Sequence, residues 1–380
     1  MKQMKVVFVS NTFHHHQANV SENLYKVTNG NYIFIETEPM RQDRLQLGWK
    51  NDNLPTYVIQ AWKGKTEEKQ CMDEIIRADV IIFGAIPPRY IMKIRSQNQN
   101  KLFFVYSERL FKKDSNVLIK LLKGVKYHFL SGNCKNSYLL CASAYAADDY
   151  NSIGLYRNKT YKYGYFPEYQ KKSYDSILEL KKKNQKLSLL WCGRLIDWKH
   201  PDNAILIAEY LKYKGFDFCL DIIGDGDMKD ELKKRVEEKD LMNNVFFHGA
   251  VDTSMVHVFM EKADIYLFTS DRGEGWGAVL NEAMNSGCAV VANINAGSTP
   301  YLVTNGKNGF VYNNYSELQN CVEQLARNQE LRENLGKEAY RTINEEWNGK
   351  VVAERFIDFA KEIKKYGECN LYESGVLSKC

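Results

Sequence analysis

The 380 residues, 44% of them apolar and 26% charged, describe a soluble globular chain long enough for two domains of ~150–190 residues. No apolar run reaches the ~18 residues of a membrane span and no signal peptide precedes the first strand, so the expected location is cytoplasmic. The net charge of +5 is unevenly divided: residues 1–180 hold 26 Lys and Arg against 17 Asp and Glu, the remainder 26 against 30. The basic half is either a mosaic of solvated faces or a surface for an anion. The anion would be phospholipid headgroups, with peripheral contact at the inner membrane face, or a lipid-linked phosphate. No binding module or arginine-rich stripe accompanies it, so nucleic acid is not an expected partner. The nine scattered cysteines form no Cys-x-x-Cys pair, and several stand in apolar strands, which suits reduced core thiols.

In chain order, Lys5–Ser10, Tyr32–Thr37, Thr56–Ala61, Asp79–Ala85, Lys101–Ser107 and Ser137–Ser143 read as strands, with a helix near Glu67–Arg77. Buried-type strands separated by helices indicate a parallel sheet covered on both faces. The loop after the first strand, Asn11 to Gln17, lacks the G-x-G-x-x-G pattern, so a dinucleotide site there is disfavoured. From Tyr161 to Lys186 the pattern lapses into a Tyr-rich, then Lys-rich connection. A second series follows, with strands at Leu187–Cys192, Phe218–Ile223, Val245–His248, Asp264–Thr269 and Ala289–Asn293, and Gly309–Tyr312 as a candidate sixth. Helices between and after them run near Asp202–Tyr213, Met228–Lys239, Thr253–Glu261, Ala278–Ser286, Ser316–Ala326 and Gln329–Glu345. The reading is α/β, two doubly wound domains facing each other across a cleft. The expected divisions are 1–168 and 169–350, a helix at 351–365 packing back on the first domain, and a poorly ordered tail at 366–380.

The most informative stretch is Glu274-Gly275-Trp276-Gly277-Ala278-Val279-Leu280-Asn281-Glu282. It follows a strand's carboxyl end, where open α/β sheets bind ligands. The helix from Ala278 turns its amino end, with unbonded N–H groups and partial positive charge, toward the same place. Two carboxylates beside such an end suit a ligand with hydroxyl groups and an anion, and ionised carboxylates only accept hydrogen bonds. Alternatively Glu274 is a helix-dipole residue and Glu282 a solvent-facing one. Arg194 and Lys199 lie past another strand end, where they meet a diphosphate or merely decorate a loop. Gly224-Asp225-Gly226 lets a backbone approach a ligand closely, or is an ordinary turn.

Four segments in register, Gly193-Arg194-Leu195 with Lys199, Ile223-Gly224-Asp225-Gly226, Phe247-His248-Gly249-Ala250-Val251 and Glu274 to Glu282, closely resemble the retaining glycosyltransferases of family 4. The resemblance covers about residues 186–350 and implies the GT-B fold of two Rossmann-like domains. It implies that Glu274 contacts the donor sugar, that Arg194 and Lys199 stabilise the departing diphosphate, and that Glu282 binds the ribose hydroxyls. Asp225 and Gly224 would lie beside the nucleotide, Ala250 and Val251 would help hold the base, and Gly275, Trp276 and Gly277 would offer backbone to the sugar or diphosphate. Where the family often has Gly-Gly-x-x-Glu, Ala296-Gly297-Ser298-Thr299-Pro300 stands here, and Ser298 and Thr299 are expected to donate to phosphate. The first half, through Tyr106 to Phe111 and Gly164 to Glu168, looks like a bacterial subgroup that makes capsule, exopolysaccharide or other surface glycans.

Three adjacent histidines cannot converge on one ion, and no partner has ligand spacing, so no metal is expected. His14 or His15, past the first strand, is instead a candidate contact to acceptor or donor. Glu108 is a candidate acceptor contact or a member of an ordinary salt bridge. The expected activity is a metal-independent, retaining transfer of a sugar from a UDP- or GDP-linked donor to a hydroxyl of a glycan or lipid-linked acceptor. No cofactor is needed. The alternatives are a nucleotide-sugar epimerase or a phosphorylase on the same fold, and a catalytically silent glycan- or nucleotide-binding protein.

Overall fold

In a computed structural model, the residues described are 3–42, 53–86, 88–98, 100–112, 117–131, 136–168 and 172–380. Cys134 and part of the expected connection (169–171) lie outside them. The chain divides into two compact units, Met1–Glu168 with Trp347–Cys380, and Tyr169–Glu346.

The first unit is built on a parallel sheet of β1 (Val6–Ser10), β2 (Tyr32–Glu36), β3 (Val58–Gln60), β4 (Val80–Phe83), β5 (Leu102–Ser107), β6 (Ser137–Cys141) and β7 (Thr160–Lys162). The spatial order is β3-β2-β1-β4-β5-β6-β7. Val6 pairs with Tyr32 on one side and Val80 on the other, so the order reverses at β1. A ligand crevice opens at the carboxyl ends of strands at such a reversal. β1, β4 and β6 are buried along their whole length, which explains their unbroken apolar runs.

Three features of this unit differ from the sequence reading. A helix, His15–Val27, begins inside the stretch read as a loop and buries Gln17, Val20, Ser21 and Leu24. A seventh strand, β7, lies in the stretch read as a connection; at three residues it leaves almost no periodic signal.

The third difference is the tail, which is packed rather than poorly ordered. Helix Gly349–Tyr366 is capped by Asn348, whose side chain accepts from the N–H groups of Lys350 and Val351, and it ends at Gly367 with φ +79°. Its Phe356 and Phe359 pack on Phe104. Beyond it Lys162 donates its N–H to Ser378 O and Leu377 donates to Lys162 O, each at 2.8 Å, while Val376 and Leu377 are buried. β7 is an edge strand with unpaired backbone groups, and the final residues satisfy them.

The second unit repeats the plan with six parallel strands: β8 (Leu187–Cys192), β9 (Phe218–Ile223), β10 (Val245–Gly249), β11 (Ile265–Phe268), β12 (Ala289–Asn293) and β13 (Phe310–Tyr312). Their order, β10-β9-β8-β11-β12-β13, matches that of the first six strands of the other sheet. Its core joins Leu189, Trp191 and Leu220 to Ile265, Leu267 and Val291, with Ile205 and Leu318 from covering helices. Helix Tyr174–Lys181 opens this unit, again within the expected connection. Lys181 is buried at its end, with its ammonium on the carbonyls of Ala263 and Met260. The eight described cysteines are all unbridged.

Candidate functional sites

In the second unit, four loops leave the carboxyl ends of β8, β9, β11 and β12. The loop after β8 and the loop after β9 touch through their backbones. Gly224 has φ +131°, and a Cβ there would lie 1.8 Å from Gly193 O; at Gly226, φ +155°, a Cβ would lie 2.5 Å from Leu195 O. Only glycine fits either position, so Gly-Asp-Gly is more than a turn. Leu195 N–H donates to Asp225 O and Met228 N–H to Leu195 O, which locks the contact. Arg194 is carried on this clamp. Its guanidinium lies over the Trp198 ring at 5.5 Å and makes no ion pair among the described residues. Asp225, by contrast, pairs with Lys229 at 2.6 Å and accepts from Gly226 N–H, and these bonds hold its carboxyl below the usual range.

The loop after β8 is fixed to the loop after β11 by a relay. Trp191 Nε1 donates to Thr269 Oγ1 at 2.8 Å, and Thr269 Oγ1 donates to Lys199 O at 2.6 Å. Asp271 N–H then donates to Trp198 O. The relay sets two functional side chains face to face: Lys199 Nζ lies 2.5 Å from Glu274 Oε2, with side chains only 13% and 16% exposed. Ser270 Oγ donates to the same carboxylate oxygen at 3.4 Å. Residue spacing places Lys199 and Glu274 separately; their pairing across 75 positions is a finding of the fold.

The Gly-rich turn leads into helix Ala278–Asn285 through Gly277 in the left-handed region, φ +87°, with no side-chain cap. The first-turn N–H groups of Ala278 and Val279 have no partner among the described residues. The Trp276 indole is fully buried and donates to Asn281 Oδ1 at 2.8 Å, which leaves its backbone as the part available for the expected contact.

Glu282 is largely buried beside Cys192 and Tyr266, and desolvation raises its carboxyl to about 7. Ser298 and Thr299 are completely buried, and their hydroxyls have no partner among the described residues. Gly297 N–H donates to Glu274 O, which ties this loop to the Glu274 turn. Ala250 and Val251 stand just past β10, next to Gly249, whose carbonyl accepts from Gly224 N–H at 2.7 Å.

The first unit gathers its candidates at its own strand ends. His15 and His16 have ring centroids 4.0 Å apart, His14 and His16 5.5 Å, and His16 stacks on Tyr165 at 5.5 Å. Tyr165 donates its hydroxyl to Glu108 Oε1 at 2.8 Å, and Lys112 pairs with Glu108 Oε2 at 2.6 Å. Glu108 is therefore a salt-bridge member as well as a candidate contact. Asn19 donates to the carbonyls of Phe166 and Pro167, holding this segment against the first helix. The sequence does not show that Tyr165, His16 and Lys112 meet Glu108 in one cluster, because aromatic stacking between segments 149 residues apart leaves no local pattern. No group of three His, Cys, Asp or Glu among the described residues is placed to hold a metal ion.

Residues 175–342 match the family model of glycosyl transferases group 1. Over most of its length the second unit is similar to the group 1 glycosyl transferases. An uncharacterized glycosyltransferase of Methanocaldococcus jannaschii is 28% identical over 269 residues, 68% of this chain and 62% of that protein. The poly(ribitol-phosphate) alpha-N-acetylglucosaminyltransferase of Staphylococcus aureus is 30% identical over 169 residues, 44% of this chain and 34% of that protein. The chain thus spans less than two thirds of the length of these relatives. The structure of Anabaena HepE in complex with UDP superimposes with a TM-score of 0.70 at 16% identity, over 94% of this chain and 100% of that one. The two parallel-sheet, Rossmann-like units are those of the GT-B glycosyltransferases. The matched segment takes in the Arg194 clamp, the Lys199–Glu274 pair and Glu282.

Proposed function

We propose that this chain transfers a sugar from a nucleoside-diphosphate donor to a hydroxyl of a glycan or lipid-linked acceptor, with retention of configuration, in the synthesis of a cell-surface glycan. The observation that carries this reading is the Lys199–Glu274 pair, held beside Arg194 and a helix amino end. The pair exchanges partners when a donor arrives. Sugar hydroxyls donate to the Glu274 carboxylate, and diphosphate oxygens accept from Lys199 and Arg194. As the bond to the sugar breaks, negative charge builds on the leaving diphosphate, and fixed cations stabilise it more in the transition state than before. Those two cations and the N–H groups at Ala278 and Val279 supply the charge that a metal ion would otherwise bring. Glu282, beyond the first helical turn, is the residue we assign to the ribose hydroxyls. The Staphylococcus relative's acceptor, a poly(ribitol phosphate), supports a surface polymer as the acceptor class.

The test is transfer from UDP- and GDP-sugars by the full chain. Glu274→Ala and Arg194→Ala are each expected to lower kcat by about 10²–10³-fold with the thermal midpoint retained. Near-normal turnover by either variant overturns the assignment. Isomerised donor without transfer indicates an epimerase, dependence on inorganic phosphate a phosphorylase, and saturable binding with no product a silent binding protein.

A further inference from the structure

Helix Val117–Ser131, between β5 and β6, exposes more large apolar side chains than any other described element. At ~100° per residue, Val117, Leu118, Leu121, Leu122, Val125 and Phe129 share one face about 140° wide. All six are between 62% and 73% exposed. Lys120 borders this face on one side and Lys126 on the other. The reverse side anchors the helix: Lys123 Nζ donates to Leu110 O at 2.6 Å, the Tyr127 ring meets Tyr150, and Gly124 sits against Ile153. The helix contains no Asp or Glu, and it belongs to the half of the chain with the basic surplus.

An apolar face bordered by lysines is the pattern of a helix lying in a lipid–water interface, its stems buried and its ammonium groups at the headgroups. Its 15 residues span only about 22 Å as a helix, short of the ~30 Å hydrocarbon core, so it lies along the surface. We infer that helix Val117–Ser131 docks flat on an anionic lipid surface. The Lys123–Leu110 bond ties it to the loop bearing Glu108, so docking holds the Glu108–Tyr165 cluster close to the lipid. That placement suits a lipid-linked acceptor, and only this last point rests on the proposed function.

The test is co-sedimentation of the full chain with vesicles of phosphatidylcholine alone or mixed with phosphatidylglycerol. Partitioning is expected to rise at least tenfold with the anionic lipid and to fall at high salt. Leu118→Glu with Val125→Glu should reduce it by more than tenfold, and Lys120→Ala or Lys126→Ala by about fivefold each. All these positions are exposed, so each variant should keep the wild-type thermal midpoint and transfer to a water-soluble acceptor. Equal partitioning of wild type and variants overturns the inference. So does self-association, seen by analytical ultracentrifugation, that the double Glu variant abolishes while vesicles leave the wild type in solution. Vesicle binding without transfer by the wild type counts against the proposed function alone.

Discussion

The two units share one strand order but hold their candidate residues by different means. In the second unit, loops are fixed main chain to main chain, as where Gly224 meets Gly193 O and Gly226 meets Leu195 O. Charged side chains are then carried on a backbone frame that leaves them little choice of position. In the first unit, the candidates are held side chain to side chain, through His16 on Tyr165 and Tyr165 on Glu108. A backbone frame suits a part of a ligand that never varies, such as a diphosphate. A side-chain cluster can be rebuilt residue by residue, which suits a part of a ligand that varies.

That contrast breaks most sharply at Gly224. Gly224→Ala drives a methyl group into Gly193 O and should lower the unfolding free energy of the second unit by roughly 3 kcal/mol, read by denaturant titration. A loss below ~1 kcal/mol shows that the clamp yields easily and that the units differ less than their backbones suggest.

A comparable but pH-dependent effect belongs to Glu282. Its folded carboxyl is raised by burial from 4.5 to about 7, so between those values the folded state keeps a proton that the unfolded state has lost. The sign follows: its contribution is fully present below pH ~4.5 and is lost as pH rises through 7, up to ~3 kcal/mol in all. Glu282→Gln should flatten that slope, leaving the variant more stable than wild type at pH 8 and little changed at pH 4.5. Parallel wild-type and variant stability curves across this window exclude the raised carboxyl.

The smallest effect belongs to the first unit. Tyr165→Phe removes one hydrogen bond to Glu108 and should cost about 1 kcal/mol. It should raise the acceptor KM several-fold while the donor KM stays fixed. A change in donor KM instead places Tyr165 on the nucleotide side of the chemistry and blurs the division between the units.

Legibility in the sequence follows the same contrast. β1, β4, β8 and β11 are readable because strands buried on both faces are unbroken apolar runs. β7 is not, since three residues carry no period and its edge is completed by residues more than 200 positions away. Gly224, Gly226 and Gly277 are legible because the backbone demands glycine there. The Lys199–Glu274 pair, the buried hydroxyls of Ser298 and Thr299 and the inward indole of Trp276 are not. Each depends on which way a side chain turns once distant loops have met, and spacing along the chain does not carry that information.

The Lys199–Glu274 contact makes each of these two groups the other's counter-ion. On the proposed function, an incoming diphosphate would displace a carboxylate from Lys199, so fewer small ions would leave with it and its affinity should vary less with ionic strength than two bare cations would give. The same exchange discriminates by completeness. A bare nucleoside brings no anion to take the ammonium and an inorganic anion brings no alcohols to take the acid, so neither half alone unlocks the salt link.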